Sequence, residues 1–497
     1  MAITYKDATI QEVNDAMQSS WNAFKEYRKK DLKERAQFLK TVAREMQDVS
    51  AELISTASRE TNLDEARLTV EFNRTVFQLT SYADACANGT WLDIRIDTGD
   101  SKRNPPKPDL RKMLVPLGPV VVFGSSNFPF AYSTAGGDTA CALAAGCPVV
   151  IKAHPAHAET SELVANAVQR AAKKCGLPEG VFIHLHGASF EVGKALVQHP
   201  LTKAVGFTGS FEGGKALFDL ANGREEPIPV FSEMGSVNPV FMLPAKLKSD
   251  AATIATMYAD SITQSVGQFC TNPGILVGVE DYSLEQFKKF LGKQIQKVRP
   301  AKMLHPGIAK SFVQKREKAL AQKSVAVAAT TEFEPDENES IPTLAEVPAK
   351  EFLKNTLLHK EVFGPFSLLV KCSDVNEMTQ VANAIEGQLT CSLIATNDEV
   401  KANPKLVEIL KDKCGRFVLN GVPTGVEVAL SMHHGGPYPA TTDSRFTAVG
   451  ADGIKRFARP VCFQNWSNEL LPDELKNENP LNLWRTVNNE LSKDPVI

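Results

Sequence analysis

The sequence lacks a paired cysteine pattern. It has nine cysteines, an odd number, scattered along the chain without a CxxC spacing. That distribution argues against a disulfide framework and a structural zinc site, and a reducing compartment is expected. A surplus of positive charge is also missing. Lys and Arg number 55 against 58 Asp and Glu, a formal net charge of −3. A polyanion partner such as nucleic acid is therefore not expected. No apolar run approaches the roughly 18 residues that cross a bilayer. The opening Met1-Ala2-Ile3-Thr4-Tyr5-Lys6-Asp7 lacks the basic-then-apolar run of a secretory leader. A cytoplasmic chain without a membrane segment is the expectation. What is present is ordinary: 43% hydrophobic and 23% charged residues fit a folded chain. A length of 497 residues predicts about two or three domains.

Residues 9–48 read as amphipathic helices, with Val13, Met17, Trp21 and Phe24, then Leu39, Val42 and Met46, at helical spacing. Residues 98–111 are rich in Pro and charge and read as a linker or exposed excursion. From 119 the texture changes. Short apolar runs at Val120–Phe123, Val149–Ile151, Val181–Leu185, Ala204–Phe207 and Ile228–Phe231 alternate with helical stretches at 130–146, 159–174, 189–198 and 212–222. This alternation predicts a parallel sheet with helices on its faces. Such sheets bind nucleotides at the carboxyl ends of their strands. A second α/β unit follows, with helices over 249–266 and 282–298 and strands at Ile275–Val279, Ser367–Val370, Leu393–Ala395 and Phe417–Leu419. The acidic run 331–341 reads as a solvated loop.

Four short motifs hold candidate chemistry. In Gly267-Gln268-Phe269-Cys270 a thiol follows a helix and precedes a strand, beside glycine. A thiol is the soft nucleophile best suited to neutral pH. In Glu233-Met234-Gly235 a carboxylate ends a predicted strand, as a general base would. In Ser126-Asn127-Phe128-Pro129 an amide N–H stands where it could donate to an oxyanion. In Phe207-Thr208-Gly209-Ser210-Phe211-Glu212-Gly213 a glycine-rich turn opens a helix whose N-terminus suits a pyrophosphate. Each has an ordinary alternative: a buried apolar cysteine, a surface Glu, an Asn turn, a plain Gly-rich loop.

Taken together with Val150-Ile151-Lys152 and Glu361-Val362-Phe363-Gly364-Pro365, these motifs stand in the order and spelling of the aldehyde dehydrogenase superfamily. The resemblance runs from about residue 10 to 466. It implies an α/β fold with a Rossmann-type cofactor domain (1–97 and 118–232), a catalytic domain (233–430), an oligomerisation or bridging element (98–117 and 460–497) and a C-terminal substrate-site segment (431–459). It implies a homodimer or homotetramer acting on a small-molecule aldehyde. Cys270 would be the nucleophile. Asn127 and the Cys270 N–H would hold the oxyanion. Glu233 would activate water and share in deprotonating Cys270. Gly209 and Ser210 would face the pyrophosphate, Lys152 the adenosine ribose and Glu361 the nicotinamide ribose, with Gly213, Gly235 and Phe363 also binding the cofactor. Members often carry an acid three residues after the lysine, where it grips the adenosine 2′-hydroxyl. Here Pro155 stands in its place. A 2′-phosphate is then not repelled, and Lys152 and His154 are candidates to pair with it. NADP is the expected cofactor, with NAD as the alternative.

The segments Lys152-Ala153-His154-Pro155-Ala156-His157 and Gly435-Gly436-Pro437-Tyr438-Pro439 resemble a branch of that superfamily containing α-ketoglutaric semialdehyde (2,5-dioxovalerate) dehydrogenases. A neighbouring group acting on long-chain fatty aldehydes is the alternative. The substrate carboxylate of the former needs a cation, and Arg445 is a candidate, against an ordinary salt bridge. His433-His434 suggests a metal, but no Cys or carboxylate ligand lies at coordinating sequence spacing, so none is expected. A CoA-acylating enzyme needs no water-activating Glu, so Glu233 favours hydrolysis. A catalytically silent relative is disfavoured by Cys270, Glu233 and Asn127 occurring together.

Overall fold

The structure, a computed structural model, describes residues 5–496. The chain opens with two amphipathic helices, Ile10–Tyr27 and Leu32–Gln47. Each begins with a reciprocal cap, Thr9 with Glu12 and Asp31 with Glu34. Val13, Met17 and Phe24 are buried, and so are Leu39, Val42 and Met46, whereas Trp21 is half-buried. Helices Ser50–Thr61 and Glu65–Asn88 follow.

Five parallel strands form the first nucleotide-type sheet. Their spatial order is Phe182–Leu185, Val149–Lys152, Val120–Phe123, Ala204–Thr208, Val230–Glu233. All four residues of Val120–Phe123 and the first three of Val149–Lys152 are buried. That explains their unbroken apolar spelling, since helices cover both faces of such a sheet. The chain order reverses between Val120–Phe123 and Ala204–Thr208, which opens a crevice at their carboxyl ends.

A seven-stranded sheet forms the second unit. Its order is Ala326–Thr330, Thr343–Pro348, Phe366–Cys372, Ile275–Val279, Val240–Met242, Gln388–Ile394, Cys414–Leu419. Only the first pair is antiparallel. A third, smaller sheet runs Ala458–Gln464, Leu110–Pro116, Arg95–Asp97, Arg485–Val487, Glu490–Ser492. The Pro-rich stretch is the exposed tip joining two of its strands, closed by an Asp100–Lys107 bridge. The small sheet starts earlier than position 98, since Arg95–Asp97 belongs to it.

Two expected helices differ. The stretch 130–146 becomes helical only at Gly137–Ala145. Before it, the buried Glu71 carboxylate accepts from the Phe130 and Ala131 N–H groups at 2.8 and 3.0 Å, which holds the chain in a turn. Of the stretch 249–266, the part up to Thr263 lies in a longer helix, Pro244–Thr263, broken at Asp250, and the rest turns out of it at Ser265 and Val266. No helix among the described residues is long and apolar enough to cross a membrane.

Candidate active site

The Cys270 loop is held from three sides. After helix Pro244–Thr263 the chain turns with Ser265, Val266 and Gly267 at φ of 47°, 61° and 65°. Such angles are costly for a branched residue like Val266. Gly267 lies against Gly364: a Cβ there would sit 2.4 Å from the Gly364 carbonyl carbon. Two of the sequence motifs therefore touch, and a side chain at 267 would part them. Beneath the loop, the Asn238 Nδ2 donates to the carbonyls of Cys270 and Asn272, both at 2.9 Å. Asn238 is itself fixed by Gln388, whose Oε1 accepts its N–H at 3.1 Å. Gln268 Oε1 accepts from the Leu304 N–H at 3.0 Å.

Around the thiol three groups converge. His434 Nε2 lies 3.7 Å from Cys270 Sγ and 3.1 Å from Glu233 Oε1. One ligand atom from each of Cys270, Glu233 and His434 falls within 4.8 Å of the others. Glu233 and His434 are buried. Burial favours a neutral Glu233 carboxyl, but His434, the Cys270 thiol and Arg456 outweigh it and hold the carboxyl below its usual range. Burial pushes the Cys270 thiol well up, and the Glu233 charge pushes it further. The resting pair is therefore a charged Glu233 and a protonated Cys270. A charged Glu233 makes His434 Nε2 the donor, and its Nδ1 is buried without a partner.

Asn127 stands on the loop after strand Val120–Phe123. Its Nδ2 donates to the Gln268 carbonyl at 3.1 Å, and Arg67 donates to its carbonyl at 2.8 Å. That ties it to the Cys270 loop and leaves its second amide hydrogen free. Among the described residues no acceptor meets the Cys270 N–H. Phe128 packs edge-on against Phe269, ring centroids 5.3 Å apart.

A cavity of about 340 Å³ at the crevice of the first sheet is lined by Asn127, Glu233, Cys270, Gly209, Ser210, Gly235, Glu361, Phe363 and His154. Ser210 caps helix Phe211–Asn222 by accepting from the Gly213 N–H at 3.1 Å. Gly213 lies one turn inside that helix and does not line the cavity. Gly235 leaves room for Glu361: a Cβ would stand 2.6 Å from its Oε2. Burial pushes the Glu361 carboxyl up to about 7. These features fit a dinucleotide: a capped helix N-terminus, a side-chain-free floor at Gly235 and an acid able to meet ribose hydroxyls.

A family description, the aldehyde dehydrogenase family, matches residues 1–457. The chain belongs to that family. The dehydrogenase is 45% identical over 471 residues to α-ketoglutaric semialdehyde dehydrogenase 2 of Azospirillum brasilense, covering 95% of this chain and 90% of that one. It is 42% identical over 492 residues to an α-ketoglutaric semialdehyde dehydrogenase of Acinetobacter baylyi, covering 99% and 93%. Among solved structures it resembles 1-pyrroline-5-carboxylate dehydrogenase from Thermus with bound NAD (TM-score 0.79, 21% identity, 92% and 86% covered). That likeness is one of fold. The enzyme class is an aldehyde dehydrogenase using a nicotinamide cofactor.

Several expected residues of the dehydrogenase stand differently. Lys152 does not line the cavity; its Nζ turns back to the Ala153 carbonyl at 3.2 Å. His154 lines it, but burial holds its imidazole well below its ordinary pKa, so it brings no positive charge. Its Nδ1 accepts the Ala156 N–H at 3.1 Å. Arg445 is outside the site: its side chain is 79% exposed and pairs with Asp443. The argument against His434 as a ligand also fails. Sequence spacing hides Glu233 and Cys270 from it, but the fold brings them together. His434 arrives because the segment after it pairs with the end of strand Val230–Glu233: Met234 donates to the Ala440 carbonyl at 2.8 Å, and Glu233 bridges Thr441. The His433-His434 pair was its one visible signal.

Proposed function

We propose that this aldehyde dehydrogenase oxidises α-ketoglutaric semialdehyde to 2-oxoglutarate, with NADP preferred over NAD. The observation that carries the substrate is the identity of 45% and 42%, over nearly the whole chain, to two dehydrogenases named for it. The fatty-aldehyde alternative has no such support.

The chain's own groups then act in order. Cys270 Sγ attacks the aldehyde carbon; the C–S bond forms as the carbonyl electron pair moves to oxygen. Glu233, at the His434 contact, takes the thiol proton. The Cys270 N–H and the free Asn127 amide hydrogen receive the oxyanion. The nicotinamide, when bound, supplies the hydride acceptor, and a thioester remains on Cys270. Glu233, having passed the thiol proton to solvent, takes a proton from water, the hydroxide adds to the thioester carbon, and the C–S bond breaks, the leaving thiolate recovering that proton from Glu233. Glu361 and Phe363 from the catalytic unit, and Gly209 and Ser210 from the first sheet, would hold the cofactor.

The NADP preference rests on Pro155 in place of an acid; Lys152, turned back to the Ala153 carbonyl, and the neutral His154 add no charge at the cavity wall. The test is a rate panel with NADP and NAD over 2,5-dioxovalerate, glutarate semialdehyde and decanal. The highest kcat/KM is expected for 2,5-dioxovalerate with NADP. Decanal as the best substrate would overturn the substrate reading, and equal or better rates with NAD the cofactor reading.

A further inference from the structure

A second cavity, of about 740 Å³, shares Cys270, Phe128 and Tyr132 with the first. Its apolar wall includes Val70, Phe269 and Met432. Three arginines line it: Arg67 and Arg74 on helix Glu65–Asn88 and, from the opposite unit, Arg416 on strand Cys414–Leu419; Arg67 is paired with Glu71.

Neither Arg74 nor Arg416 has a carboxylate partner among the described residues. Arg74 Nη2 donates to the Tyr132 hydroxyl at 3.3 Å and the Val426 carbonyl at 3.2 Å, and its Nη1 is buried without an acceptor. Arg416 donates to the Gly425 carbonyl at 2.7 Å and to the Pro423 carbonyl, and its Nε is buried without an acceptor. The acids nearby are otherwise engaged or turned away. Glu71 is paired with Arg67 and accepts the Phe130 and Ala131 N–H groups. Glu427 is exposed on the cavity wall and accepts from the Val428 N–H at 3.2 Å. Arg67 is thus neutralised, while Arg74 and Arg416 are not. Half-buried guanidinium charges without counter-ions are unfavourable unless a ligand supplies the anion. A fatty acyl chain would add to that cost, because it would strip water from both cations.

The geometry points to Arg74 and Arg416 as the carboxylate-binding pair of the dehydrogenase, holding the acid end of an oxo-acid aldehyde while its aldehyde carbon lies against Cys270. The apolar wall takes the methylene segment between the two ends. This assignment rests on the dioxo-acid reading above and adds the residues that discriminate its substrate. Planar guanidinium forks suit a carboxylate in a way a lysine does not.

The test compares wild type with Arg74→Met and Arg416→Met on 2,5-dioxovalerate and on pentanal, a neutral aldehyde of the same length. In each variant the ratio of the two kcat/KM values should fall about 10- to 100-fold, the span of one lost charged hydrogen-bonding group. Arg→Lys at each site should recover part of that ratio. Glutarate should compete against pentanal in the wild type and lose that competition in the Met variants. A wild type that does not prefer 2,5-dioxovalerate to pentanal overturns the substrate reading, and this assignment with it. A wild type that prefers it, with variants keeping the same ratio, overturns the arginine assignment alone. If a Met variant does not fold, failure of glutarate to compete in the wild type decides against the pair.

Discussion

At the scale of single residues, His434 and Glu361 set the behaviour of the site. His434 touches both the nucleophile and the base, so it bears on how readily Cys270 ionises. An Nε2–H aimed at Sγ and Glu233 stabilises a thiolate once the proton has left. His434→Gln should move the pH limb for iodoacetamide inactivation of Cys270 upward and lower kcat/KM roughly 10- to 100-fold. An unshifted limb would remove His434 from this role. Glu361 carries a pH signature of its own. Its carboxyl rises from the ordinary 4.5 to about 7 on burial. A carboxyl raised on folding stabilises the fold while protonated, and that contribution is lost as pH climbs through the folded value. Glu361→Gln does not titrate. In the cofactor-free enzyme, its melting temperature relative to wild type should therefore climb from about pH 4.5 to 7 and level off above. A flat difference across that window would show that Glu361 is not held as a buried acid.

At the scale of elements, the site depends on a loop whose backbone leaves no room. Gly267 has a positive φ and a neighbouring backbone at 2.4 Å from any added Cβ. Gly176 has a similar φ of 60° after helix Ala158–Lys174, but open space around it. The two glycines separate strain from clash. Gly176→Ala should cost about 1 kcal/mol in denaturant unfolding, the price of the dihedral alone. Gly267→Ala should cost more, about 2–4 kcal/mol, and should also lower kcat by displacing Cys270. Equal costs at the two positions would mean that the Gly364 contact yields without consequence. The fold around this loop was largely legible beforehand. Alternating apolar runs and Ala-rich helices announced the first sheet because its inner strands Val120–Phe123 and Val149–Lys152 are buried on both faces. Strand Val240–Met242 and the antiparallel edge strand Ala326–Thr330 were not announced. The first is only three residues long; the second begins with three exposed residues, so neither shows a clear period.

At the scale of the whole molecule, two edge strands bear or adjoin exposed apolar side chains. Cys414–Leu419 closes one side of the catalytic sheet, and Ala458–Gln464 one side of the small sheet. Phe417 and Leu419 are 38% and 52% exposed on the first, and Trp466 is 50% exposed just beyond the second. Open apolar edges favour a partner strand. We propose that a second copy covers them, as a homodimer or as half of a homotetramer. Leu419→Lys should lower the mass measured by light scattering to that of a smaller assembly. An unchanged mass would exclude this edge.

The sequence by itself determined the family, the alternation of strand and helix in the cofactor unit and the roles open to Cys270, Glu233 and Asn127. These follow from local spelling: a buried strand, a capped helix start and a glycine-rich turn all write themselves within a few adjacent residues. Tertiary structure alone decided who stands beside them. His434 lies 201 residues from Glu233 and 164 from Cys270, and Arg74 and Arg416 come from different units. It also removed Arg445 and the His154 charge from the site. Side-chain pairing and burial are properties of chain segments brought together by packing, and no local pattern records which distant residue will arrive.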